Sequence, residues 1–114
     1  MQYLLLIYMD EAGMQAAAAD MTQMHGAYMA YNKALIEAGL MQGGNALQPT
    51  SSATTVRICD GKTQVLDGPY ADTKEQLGGY YLIDAPDLDT ALAWAARCPG
   101  ASRGIMEVRP IMNV

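Results

Sequence analysis

Two short segments of this chain are apolar on both of their faces. In Gln2–Met9, Tyr3, Leu5, Ile7 and Met9 point one way while Leu4, Leu6 and Tyr8 point the other, because side chains alternate along a strand. Gly79–Asp84 repeats the arrangement with Tyr80, Tyr81, Leu82 and Ile83. A strand buried on both faces belongs in the middle of a sheet that is covered on both sides. Any fold for this chain has to supply two covers.

One cover is helical. From Gln15 to Ala38 the residues Met14, Met21, Tyr28, Leu35 and Ile36 recur at helical spacing, Ala16–Ala19 favour helix, and Gly39 supplies the left-handed stop. Gly26 lies inside that stretch and suggests a close backbone approach. Pro86-Asp87 opens a second helix with Asp87 as N-cap; Leu88, Ala91, Leu92 and Ala95 form its buried stripe and Pro99-Gly100 stops it.

Between the helices the chain reads as extended through Gly43–Leu47. A hairpin follows, with Thr54–Cys59 and Thr63–Leu66 turning at Asp60-Gly61. After the Asp67-Gly68-Pro69-Tyr70 turn, Asp72–Gly78 reads as one capped helical turn with Glu75 in the capping-box position. A last strand runs from Gly104 to Met112.

This order predicts an α+β ferredoxin-like sandwich (βαββ-βαβ) in a single domain, residues 1–114. Right-handed crossovers put both helices on one face of the sheet. The other face is then apolar and bare, which predicts a homodimer through the helix-free sheet face. Composition points the same way: 51% hydrophobic and only 17% charged residues are many apolar groups for a domain of 114 residues, whose interior is small.

Other classes are excluded at this stage. No apolar run approaches the ~18–20 residues that cross a bilayer, and no basic region leads into a cleavage site. The net charge of −5, with no basic run, argues against nucleic acid. Cys59 and Cys98 stand in no ligand spacing and read as reduced thiols of a cytoplasmic protein. His25 is the single histidine, so no metal site is expected, and no cofactor motif is present.

Candidate chemistry rests on polar residues set among apolar ones. His25 shares a helix line with Met21, Tyr28 and Asn32; it reads either as a general base or as a surface or satisfied core histidine. Asp67 could orient it across space, or could bond the backbone of its own turn. Arg57, Glu107 and Arg109 read as an ion-pair ladder or as the charged rim of a cleft for a small anion. Tyr28, Tyr31, Tyr80 and Tyr81 could line a pocket or simply fill the core; all the chain's aromatics are Tyr or Trp, with no Phe, so each carries a polar handle.

The run Asp67-Gly68-Pro69-Tyr70-Ala71-Asp72-Thr73-Lys74-Glu75-Gln76-Leu77-Gly78-Gly79-Tyr80-Tyr81-Leu82-Ile83-Asp84 resembles the signature of the YCII-related family, in its DGPF-domain branch. The likeness continues through Ala91–Pro99 and Glu107–Ile111, and upstream through Gly43-Gly44, Leu47, Pro49 and Ala53–Arg57. Tyr70 and Asp72 stand where the family usually has Phe and Glu. The resemblance implies a dimeric α/β barrel of ferredoxin-like protomers. It also implies a pocket with a histidine on the first helix and a nearby Asp. That histidine's slot falls on Tyr28, one turn after His25, so its role does not transfer by position.

The expectation is therefore a small-molecule-binding protein or a cofactor-independent acid–base enzyme. His25 and Asp67 are the candidate catalytic pair, and Tyr28, Arg57 and Tyr80 the candidate ligand-binding residues. The alternative, which the resemblance also implies, is a non-enzymatic regulatory or interaction protein associated with an extracytoplasmic-function sigma factor.

Overall fold

Gln2–Met9 forms β1, and Gly79–Asp84 lies within β5 (Gln76–Asp84). In the computed structural model, which describes residues 1–71 and 73–113, these two strands hold the inner positions of a four-stranded antiparallel sheet. The outer strands are β2 (Met41–Ala46) and β6 (Ile105–Pro110), in the order β2-β5-β1-β6. β1 thus runs parallel to β2, and β5 parallel to β6, each pair joined by a helical crossover and separated by an antiparallel strand. That is the ferredoxin-like order. The second hairpin, β3 (Thr54–Cys59) and β4 (Lys62–Asp67), forms a two-stranded sheet of its own.

The first helical stretch is two helices, α1 (Glu11–Ala19) and α2 (Met21–Glu37), where one from Gln15 to Ala38 was expected. Asp10 caps α1 by accepting from the Gly13 amide, so the helix starts earlier than the hydrophobic pattern suggests. Asp20, at φ −122° and ψ 32°, leaves the helical region and separates the two. Its carboxylate accepts from the Arg103 guanidinium at 2.6 Å, an interaction between residues 83 apart in sequence. Gly26 is exposed, with nothing within 4 Å of where a Cβ would stand, so it permits no close approach. Gly13 does: a Cβ there would lie 2.4 Å from the Arg103 carbonyl.

Further along, α3 (Leu88–Arg97) begins at Asp87 as expected, the carboxylate accepting from the Thr90 amide. Its buried stripe is Ala91, Ala95 and Cys98, whereas Leu88 and Leu92 are exposed. Small side chains let this helix lie close to the sheet. A short α4 (Gly100–Arg103) follows where Pro99-Gly100 was read only as a stop. No helical turn forms over the described part of Asp72–Gly78. Residues 73–75 are irregular, Gln76–Gly78 already belong to β5, and Asp72 lies outside the described residues. Pairing with β1 wins over local capping, and the spare residue is absorbed as a bulge opposite Ile7 and Tyr8.

The core sits between helices and sheet: Tyr3, Leu5, Ile7, Tyr81 and Ile83 from the strands, Tyr31 and Leu35 from α2, Ala91 and Ala95 from α3. Leu5, Leu35 and Ile83 are completely enclosed; burial of such a side chain contributes roughly 1.5–3 kcal/mol. On the opposite face Leu6 is only 9% exposed, while Leu4, Tyr8 and Leu82 are half-buried. Tyr8 lies with Pro69, Tyr70 and Leu77 around one depression, so the turn after β4 comes over that end of the face. The larger apolar exposure is on the hairpin. Val56, Ile58 and Val65 share one of its faces and are 60–74% exposed. Asp60 and Gly61 both take positive φ, the two-residue turn their sequence predicts. Among the described residues, no helix is long and apolar enough to cross a membrane.

Candidate functional site

A cleft of about 340 Å³ opens between α2 and the sheet. Tyr28 and Asn32 project into it from successive turns of α2, which fits their four-residue spacing. Ile7 and Met9 of β1, Met41 and Ala46 of β2, and Tyr81 of β5 form the remaining walls, together with Gly44, Gly78 and Gly79; Asn45 and Tyr80 border the cleft, but, paired with each other and with Leu6, they belong to the helix-free face.

Glycines make this space. Gly44 and Gly79 stand on the paired strands β2 and β5, opposite Tyr81 and Ala46. A Cβ on Gly44 would lie 2.8 Å from the Tyr80 carbonyl oxygen and 2.9 Å from the Tyr81 ring; one on Gly79 would lie 3.0 Å from the Asn45 carbonyl oxygen. Larger residues would both force the strands apart and occupy the cleft. Part of its wall is therefore bare peptide backbone.

Hydrogen bonds fix the polar groups around it. The Tyr81 hydroxyl donates to the Asn32 side-chain oxygen at 2.5 Å; on the helix-free face of the sheet the Asn45 amide nitrogen donates to the Tyr80 hydroxyl at 3.0 Å. Behind them the Tyr31 hydroxyl donates to the Trp94 carbonyl at 2.7 Å, with the Tyr31 ring edge-on to Tyr81 at 5.3 Å. Tyr31 thus belongs to the core, Tyr28 lines the cleft, and Tyr81 does both.

The Tyr28 hydroxyl lies deep, where a Cβ on Gly100 would come within 2.9 Å of it. Burial, then the neighbouring Cys98 and Tyr81, raises its pKa far above the ordinary phenol value. Tyr81 is pushed up to about 12, again by burial and then by Cys98. Burial also raises the Cys98 thiol, an effect that the Gly100 backbone, the Tyr28 hydroxyl and the Ala101 backbone pull back only in part. All three groups are protonated and neutral at pH 7. Both cysteines are free.

Among the described residues, no Asp, Glu, His, Lys or Arg lines this cleft. His25 is exposed on α2, flanked one turn away on each side by exposed Met21 and Met29. Asp67 is exposed at the end of β4, and Arg57 is exposed on β3. Of the five candidate site residues, the structure brings Tyr28 into the cleft, sets Tyr80 at its border with the side chain on the helix-free face, and leaves His25, Asp67 and Arg57 away from it. Arg109 bonds Glu107 two residues away on an edge strand, the ion-pair arrangement rather than a cleft rim. Sequence reading passed over Asn32 as a site, although it lies one helical turn beyond Tyr28, a usable signal.

Strand order and helices on one side of the sheet give the chain the protomer fold of the dimeric α/β barrels, and the single chain closes no barrel. It belongs to the YCII-related domain family, whose pattern matches residues 1–114. An uncharacterised protein of Rhizobium meliloti (strain 1021) is 40% identical over 114 residues, covering 97% of this chain and 92% of that protein. Among solved structures the chain is similar to 5-chloro-2-hydroxyhydroquinone dehydrochlorinase from Burkholderia phenoliruptrix AC1100, in complex with 2,5-dihydroxybenzoquinone. The TM-score is 0.60 at 15% identity, covering 100% of this chain and 96% of that one. At that identity the likeness is one of fold.

Proposed function

We propose that this protein binds a small organic molecule in the cleft between α2 and the sheet. The observation that carries the reading is the cleft itself: about 340 Å³, largely apolar, with a few polar side chains at fixed positions. That combination is usual for small-molecule sites. Tyr28 remains a ligand-binding candidate, joined by Asn32. With His25 and Asp67 outside the cleft, binding is better supported than acid–base turnover. A ligand that binds only the native state raises the melting temperature by mass action. A thermal-shift screen of metabolites should therefore find a compound that stabilises the wild-type protein. Ala46→Trp, which fills the cleft from an exposed position, should abolish that rise. A rise of equal size in Ala46→Trp would overturn the reading. The sigma-factor alternative expects capture of a sigma factor and no stabilising metabolite.

We also propose that the working form is a homodimer through the helix-free sheet face, with the hairpin as part of the contact. A two-stranded ribbon alone is marginal in water, yet β3–β4 presents Val56, Ile58 and Val65 to solvent. Leu4, Tyr8 and Leu82 supply further half-buried apolar surface on the sheet. The fold is one whose barrel takes two copies to complete. Light scattering at micromolar concentration should give twice the mass of the 12.2 kDa chain; a monomer mass would sink this assembly.

A further inference from the structure

The lining of the cleft restricts its ligand further than volume does. Every described side chain around it is uncharged, and Tyr28 and Tyr81 stay protonated well above neutrality. A ligand carboxylate, phosphate or ammonium entering here would lose water without gaining a counter-charge, which is strongly unfavourable. The charged side chains once considered for an anion rim, Arg57 and Arg109, are exposed on other surfaces.

Polar capacity is limited. Asn32 already accepts through its oxygen from Tyr81, which leaves its NH₂ group as the free donor. Asn45 and Tyr80 stand opposite each other and Leu6 on the helix-free face of the sheet and hydrogen-bond each other there. The side-chain donor that the cleft offers therefore lies on the α2 wall. Shape adds a third restriction. Gly44, Gly78 and Gly79 leave bare peptide along the strands, while Met9 and Met41 offer thioethers, which make favourable contacts with aromatic rings.

We propose that the cleft selects an uncharged, flat ring compound that presents a hydrogen-bond acceptor to Asn32. At the ~30 Å³ that a water molecule occupies in the liquid, the space suits about ten non-hydrogen atoms. Aromatic amides and lactams fit this description. Carboxylates of the same outline do not. The inference rests on the binding reading above and adds the ligand's charge, shape and polarity to it.

Three matched probes test it by calorimetric titration at pH 7: 3-hydroxybenzamide, 3-hydroxybenzoate and 3-hydroxycyclohexanecarboxamide. The flat neutral amide should bind at least tenfold more tightly than either the anion or the puckered amide. Asn32→Asp keeps the acceptor for Tyr81 but loses the free NH₂; it should weaken the aromatic amide at least tenfold while leaving the hairpin and the helices intact by circular dichroism. Equal or tighter binding of the benzoate overturns the charge restriction, and equal binding of the cyclohexane amide overturns the shape restriction. Unchanged affinity in Asn32→Asp overturns the assigned donor. In each of those cases binding in the cleft itself survives. If none of the three probes binds at millimolar concentration while the metabolite screen does yield a cleft ligand, the ligand class is wrong; if that screen also fails, the binding reading fails with it.

Discussion

Tyr81 of β5 reaches across the cleft to donate its hydroxyl proton to Asn32 of α2, joining two residues 49 apart in sequence. The bond ties the helix to the sheet beside the cavity that separates them. It also spends the Asn32 oxygen, so the same contact that holds the wall decides which of its atoms is free.

Tyr81→Phe removes the donor and leaves the Asn32 oxygen to find water through the cleft. Loss of one hydrogen bond of this kind costs about 1 kcal/mol. Urea denaturation should show a loss of that size, and Asn32→Ala should cost a similar amount or more. Because both changes delete one interaction, the double mutant should lose less than the sum of the two. Strict additivity would mean that the residues do not interact.

Gly104 offers a sharper test of packing. A Cβ there would lie 2.0 Å from the Tyr8 carbonyl oxygen, a backbone atom of the central strand. Gly104→Ala should therefore destabilise by at least the ~1–3 kcal/mol of an overpacked site. Gly26→Ala, with open space around it, should stabilise by up to about 1 kcal/mol through helix propensity. Thermal melting of the two variants should move in opposite directions.

Alkaline pH should act through the buried tyrosines. An unfolded tyrosine titrates near pH 10, whereas Tyr81 in the fold is pushed up to about 12. The fold favours the protonated form. Its contribution is fully present below pH 10 and is lost as pH rises from 10 towards 12. Tyr28 and Tyr31, raised in the same direction, add to the effect. The phenolate absorbance of these three residues should appear together with unfolding. Their titration near pH 10 with the fold intact would contradict the burial argument. At the acid end, Asp87 is held below the usual carboxylate range by Thr90, so its cap supports α3 above the ordinary carboxylate pKa and is lost as pH falls.

Two ion pairs should behave differently. Arg103 and Asp20 are partly enclosed and connect α4 to the junction of α1 and α2. Glu107 and Arg109 sit on the edge strand β6, with Arg109 mostly exposed. Exposed pairs are worth about 0–1 kcal/mol and weaken with salt. Glu107→Gln should leave the melting temperature nearly unchanged, while Asp20→Asn should lower it and loosen α1. Equal effects would remove the structural role given to Asp20.

The legible part of this fold was the part carried by repetition over many residues. Alternation in Gln2–Met9 and Gly79–Asp84 placed both strands at the centre of the sheet, and Asp60-Gly61 announced its turn through the positive φ both residues adopt. Misreadings arose where distant contacts outvoted local pattern. Asp20 breaks a helical stretch and is engaged by Arg103; Gln76–Gly78 extend a strand because β1 is there to pair with. In the site, Tyr28 was legible as a polar group on an apolar element, whereas Tyr80, next to Tyr81 on the same strand, faces the other way and His25 stands in solvent. Helical spacing puts His25 and Tyr28 one turn apart, but only the packing of α2 decides which of them faces the sheet.

The central claim is that the space beneath α2 is a ligand site. Its most direct test is an amide chemical-shift titration with the compound that raises the melting temperature most. The account predicts saturable shifts confined to Asn32, Gly44, Asn45, Gly78 and Gly79 and their neighbours around the cleft. Shifts centred instead on the outer face of α2 around His25, or on the hairpin around Arg57 and Asp67, would contradict it.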